Sequence, residues 1–101
     1  MQIVQLYDAL FALTESPVAA INRALAIAEL HGAAAGLGAM PDAATDTRLA
    51  GYQPYWAARA DLLARTGARE EARRAYEIAI GLERDRAVRR FLLERQSALP
   101  G

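Results

Sequence analysis

Residues 52–82 constrain this chain more than any other stretch. An Ala-rich segment from Gln53 to Arg65 is followed by Gly67 and then by a second Ala-rich segment from Arg69 to Leu82. Ala is the best helix former, and its small side chain lets two helix axes approach closely. Gly67 supplies the backbone freedom needed to reverse direction after a helix. Large and small residues recur at three- and four-residue spacing, with Trp56, Ala60 and Leu63 on the first segment and Ala72, Tyr76 and Ala79 on the second. Each set therefore shares one helix face. The stretch predicts two antiparallel helices meeting through small residues, with Trp56 filling a pocket between them. A helical hairpin has no reactive group of its own; what it offers is a surface.

The rest of the chain reads as more helix. Ile3, Leu6, Tyr7, Leu10, Phe11 and Leu13 follow a helical period over residues 3–14. A chain that begins in mid-helix reads as a segment of a longer polypeptide. Ser16 is a good N-cap and Pro17 suits a first helical position, so a second helix is expected over 17–30. Gly32 is expected to end it in the left-handed conformation, and a short helix over 33–40 then runs to Pro41. Residues 41–51 read as a loop from their Pro, Asp, Thr and Gly content, with Leu49 tucked into the core. Asp85 is placed to cap a last helix over 86–97, with Val88, Leu92 and Arg95 on one side near Phe91 and Leu99. Pro100 and Gly101 read as a frayed end. The expected fold is all-α, about six helices in antiparallel hairpins forming one domain over residues 1–101, the last helix covering the remaining apolar face.

Composition narrows the function classes. Apolar residues make up 53% of the chain and the formal net charge is zero, which argues against a dedicated nucleic-acid binder. With no Cys there is no disulfide framework and no thiolate metal site, which fits a reducing cytoplasm. The longest mostly apolar run, Val18 to Met40, is broken by Asn22, Arg23, Glu29 and His31, so no membrane span is expected. One His, no Gly-rich phosphate loop, no His-Glu metal motif and no nucleophile elbow predict a non-enzyme without catalytic, cofactor or metal residues.

The 52–82 hairpin has the residue types of a tetratricopeptide unit, matched at Trp56, Ala60, Gly67, Ala72, Tyr76 and Ala79. Arg59 stands where that motif prefers Leu, and Arg84 where it prefers a closing Pro. The 17–40 hairpin is degenerate: Ile21 and Ala28 fit, Pro41 falls inside the expected second helix, and Ala33 to Gly36 give a small-residue crossing without an aromatic. Two units are fewer than a repeat stack normally needs, so flanking helices must complete it in a right-handed, tetratricopeptide-like arrangement.

A more specific resemblance lies in Leu6-Tyr7-Asp8-Ala9-Leu10, in Ser16-Pro17-Val18-Ala19-Ala20-Ile21-Asn22-Arg23-Ala24, and in Leu49-Ala50-Gly51-Tyr52-Gln53-Pro54-Tyr55 with Ala57-Ala58-Arg59-Ala60-Asp61-Leu62-Leu63 and Arg90-Phe91-Leu92. These strings resemble the extension that follows the promoter-binding regions in one group of extracytoplasmic-function RNA polymerase sigma factors. The resemblance covers nearly the whole chain; Gln53 departs from it, standing where that family often has His. It implies a tetratricopeptide-like C-terminal domain of a bacterial transcription initiation factor, with the promoter- and polymerase-binding regions upstream of these residues. The implied partners are proteins: the factor's own sigma regions, core RNA polymerase or a regulator. DNA contact would come only through the upstream regions.

The candidate partner-binding residues are Asn22, Arg23, Tyr52, Tyr55, Arg59, Asp61 and Arg65. Asn22 and Arg23 present an amide and a guanidinium to a partner, or Asn22 bonds a neighbouring loop. Asp61 and Arg65 have ion-pair spacing on one helix, and Arg59 lies across Tyr55 or Trp56 or pairs with an adjoining acid. Tyr52, Tyr55 and Trp56 are packing residues, with Tyr52 an interface anchor wherever it is exposed. His31 reads as a surface residue at a helix end. The Arg73-Arg74 and Arg84-to-Arg90 stretch is interleaved with acids and reads as a paired, solvated face, with weak contact to DNA or an acidic polymerase surface as the alternative. The leading reading is a regulatory interaction domain of such a sigma factor. Its rivals are a free-standing helical-repeat scaffold and a small ligand-binding or hydrolytic helical domain. The open end of a short stack also fits a homodimer.

Overall fold

The computed structural model describes residues 16–100, and all the regular structure in them is helical. The helix expected over 3–14 lies outside the described residues. The elements are α1 (Pro17–His31), α2 (Ala33–Ala39), α3 (Thr47–Ala50), α4 (Gln53–Arg65), α5 (Arg69–Leu82) and α6 (Arg86–Ser97). The chain divides into two compact units, one ending at Ala50 and the other beginning at Gly51.

In the first unit α1 and α2 form a hairpin linked by Gly32 alone. Ser16 occupies the N-cap position with extended backbone and Pro17 follows it, although the serine side chain makes no capping bond. Gly32 has φ 96° and ψ 162°, a positive φ as expected but with an extended ψ rather than the left-handed helical one. The one-residue link explains the difference, since Gly32 caps α1 through its N–H to the Ala28 carbonyl while its own carbonyl accepts from Gly36 at the start of α2. Gly36 is the contact point of the hairpin. A Cβ there would lie 2.5 Å from the Ala28 Cβ and 2.9 Å from the Ala24 carbonyl oxygen. Ala24 and Ala28 are both buried, so the crossing is made of small residues.

The segment expected to be a loop over 41–51 contains α3. Asp42 builds an Asx turn, accepting from the Ala44 amide at 2.9 Å, and its carbonyl accepts from Thr45 and Asp46. Asp46 then accepts from the Arg48 amide at 3.0 Å and from the Arg48 guanidinium at 3.0 and 2.9 Å. That bidentate contact draws the Asp46 carboxyl below its ordinary pKa. Leu49, one residue on, is fully buried, as its apolar character in a polar segment implies.

In the second unit α4 and α5 pair most extensively. The turn between them is a Schellman motif. The Ala68 amide donates to Leu63 at 3.0 Å, the Gly67 amide to Ala64 at 3.1 Å, and Gly67 has φ 86°. Ala60, Ala72 and Ala79 have no exposed surface, and Leu63, Ala75 and Tyr76 are buried with them. Asp85 caps α6 through the Ala87 and Val88 amides at 2.8 and 3.2 Å. From there α6 packs on α5, burying Leu92, a gain of about 2 kcal/mol by its apolar area. The Gln96 side chain donates to the Arg73 carbonyl at 3.2 Å and fixes the same contact from the polar side.

Two expectations fail here. The buried aromatic of α4 is Tyr55, 2% exposed, while Trp56 is only half-buried and meets the Tyr55 ring edge-on with centroids 5.0 Å apart. α6 does not close the apolar surface either: its Phe91 and Leu93 are 57% and 46% exposed. A 12-residue helix with apolar residues at 88, 91, 92 and 93 spreads them over more of its circumference than one neighbour covers.

Candidate functional site

The seven candidate residues fall in both units, two in the first and five in the second. Asn22 and Arg23 lie on α1 in the first unit, where Asn22 is exposed and Arg23 half-buried. Tyr55 fills the interior and has no surface to give a partner. Tyr52 precedes α4 and is half-buried. The remaining three split across α4, because residues two apart on a helix face different ways. Arg59 lies with Trp56, Leu63, Glu71, Arg74, Ala75 and Ile78 in a shallow groove on the α4–α5 side. Among the described residues it forms no ion pair.

Asp61 and Arg65 belong instead to a groove between α4 and α6, floored by Tyr76 and Leu92 and walled by Ala57, Phe91 and Arg95. Its volume is about 370 Å³. Asp61 binds two guanidiniums here. Arg65 reaches Oδ2 at 2.9 Å, the expected four-residue pair, and Arg95 reaches Oδ1 at 3.2 Å from α6. One carboxylate between two arginines leaves the groove a net positive charge. The Arg95 pKa is held above its ordinary value, first by the Tyr76 hydroxyl beside it and then by Asp61, so the cation persists at any pH compatible with folding. The three charged side chains are part-exposed and lie beside the exposed Phe91 ring.

Arg95 and Phe91 are the residues that sequence reasoning missed as groove members. The signal was present: 91 and 95 are four apart and share a face, but which neighbour that face meets is not a property of α6 alone.

The expected paired basic face is also incomplete. Arg73 pairs with Glu70 at 2.9 Å. Arg86, Arg89 and Arg90 are exposed and make no ion pair among the described residues. Of the nearby acids, Glu83 faces the Arg84 and Asp85 amides and Asp85 its cap, while Glu94, four residues past Arg90, forms no ion pair with it.

These features define a helical module that presents charged, partly apolar grooves. No helix among the described residues is long and apolar enough to cross a membrane, and none of their His, Asp and Glu side chains cluster in threes as a metal site requires. The chain is 42% identical over 81 residues to an uncharacterized protein of Rhizobium meliloti (strain 1021), a match covering 80% of this chain and 19% of that protein. The chain thus spans about a fifth of the length of the curated relative it matches. No family model matches the chain, and no solved structure matches it.

Proposed function

We propose that this chain is a protein-docking module, and that it serves as the regulatory, tetratricopeptide-like C-terminal domain of an extracytoplasmic-function RNA polymerase sigma factor in the bacterial cytoplasm. The observation that carries the docking reading is the α4–α6 groove, where Arg65, Asp61 and Arg95 sit beside a Phe91 ring that is 57% exposed. A charge-rich wall next to an uncovered aromatic is the usual build of an interface anchor. The sigma-factor reading rests on the Ser16-to-Ala24 and Leu49-to-Leu63 strings. The match to a stretch within a much longer relative accords with a module of a larger polypeptide.

In this reading the groove holds an apolar side chain and a carboxylate of the factor's own upstream regions, of core polymerase or of a regulator. Contact there changes how readily the factor engages a promoter. The test is a pull-down of the upstream sigma regions and of core polymerase, separately, with the chain and with its Phe91→Ser/Arg95→Ala variant. Capture by the parent chain and loss in the variant support the reading; equal capture removes the groove from it. Deletion of residues 1–101 from the full protein should alter transcription from its promoters. A genomic reading frame without promoter-binding regions upstream would leave the free-standing scaffold in its place.

A further inference from the structure

The outer face of α6 carries a second surface, separate from the α4–α6 groove. Arg86, Arg89, Arg90 and Leu93 line a shallow depression of about 310 Å³. Positions 86, 90 and 93 lie one helical turn apart on one face, with 89 beside them. All four side chains are exposed.

The arrangement works against the helix that bears it. Arg86 opens α6, and no acid stands in its first turn. Cations at a helix N-terminus oppose the helix dipole. Like charges at spacings of three and four, as in Arg86 with Arg89 and Arg90, repel one another. Asp85, as the N-cap, offsets part of the dipole cost, but neither it nor Glu83 pairs with these arginines, and Glu94, four residues past Arg90, forms no ion pair with it. Three guanidiniums left without an ion pair on one exposed face are available to a partner outside the chain.

We infer that this face docks an acidic segment of a protein partner, with carboxylates on the three guanidiniums and an apolar side chain seated on Leu93. The charge selects an anion. Leu93 selects a protein over a nucleic acid, because a phosphate backbone gains nothing from an apolar centre, whereas a peptide side chain buries against it.

The test uses the 101-residue chain and a fluorescein-labelled twelve-residue peptide carrying six glutamates around two leucines. A serine-for-leucine peptide and single- and double-stranded oligonucleotides of equal charge serve as comparison probes, all read by anisotropy. The leucine peptide should bind best and weaken as salt rises. Arg89→Glu/Arg90→Glu should weaken it by about tenfold or more, and Leu93→Ser by about fivefold. The charge-reversed variant should melt within a few degrees of the parent, because both side chains are exposed and unpaired, so lost binding is not lost folding. Oligonucleotides binding as tightly as the peptide, undiminished peptide binding by the variants, binding of neither probe, or a clear fall in melting temperature on charge reversal would each overturn the inference. So would a dimer of the parent chain, seen by sedimentation, that the charge reversal dissociates, because the face would then belong to a second copy.

Discussion

The Arg95 guanidinium on α6 reaches the Asp61 carboxylate on α4 at 3.2 Å, across 34 positions of sequence. Asp61 already holds Arg65 at 2.9 Å on its own helix, so one carboxylate ties two helices together. The Arg95 side chain is half exposed, which keeps the contact in solvent's reach. A double-mutant cycle with Asp61→Ala and Arg95→Ala, read by urea denaturation, should give a coupling of about 0.5 kcal/mol that shrinks at high salt. A coupling well above that would mean the pair is shielded from solvent.

Gly36 and Gly38 share α2 but should respond oppositely to alanine. A Cβ at 36 would press on the Ala28 Cβ and the Ala24 carbonyl, and the latter is backbone that cannot swing aside. Gly36→Ala should cost about 1–3 kcal/mol by overpacking, despite the better helix propensity of Ala. At Gly38 nothing lies within 4 Å, so Gly38→Ala should be neutral or stabilise by about 0.5 kcal/mol. Thermal melts of the two variants check the pair of signs.

Asp85→Ala should remove the cap of α6 and cost about 1 kcal/mol. The loss should show as faster amide exchange at Ala87 and Val88 than at Ala60 or Ala79, which lie at the buried α4–α5 interface.

Asp46 carries a pH prediction. Its folded pKa lies below the ordinary aspartate value because Arg48 binds the ionised form through its side chain. The unfolded chain therefore takes up the proton first as pH falls. The stabilisation is complete above the ordinary aspartate pKa of about 3.9 and is lost as pH drops through the lower folded value. Asp46→Asn should remove that part of the acid dependence, as read by denaturation at pH 5 and pH 3. An NMR titration of Asp46 with a midpoint at or above the ordinary value would contradict the Arg48 contact.

Phe91 is predicted to matter for partners and not for folding. With 57% of its surface exposed, Phe91→Ser should change stability by less than about 0.5 kcal/mol. The same change should reduce partner capture, which pull-down yields at matched folded fraction would measure.

Much of the helical framework was legible in the residues themselves. Asp85 capping α6, Gly67 reversing the chain and the alanines of α4 and α5 all act over three or four positions, within reach of a local pattern. α3 escaped notice because its four residues make barely more than one turn, too few for a period to repeat, and its support is the side-chain bonding of Asp42 and Asp46. The site was less legible, as the choice of Tyr55 over Trp56 for the interior shows.

Sequence alone determined that the described residues would be helical, where most of these helices start and stop, and that small residues would line their crossings. Propensity, capping and chain reversal are short-range effects that each segment carries with it. Only the tertiary structure decided that Asp61 would be shared with Arg95, that Arg59 would part company with Asp61, and that Phe91 and Leu93 would remain uncovered. Those outcomes depend on which distant helix covers which face and how much of its circumference the neighbour reaches, and no local period encodes that.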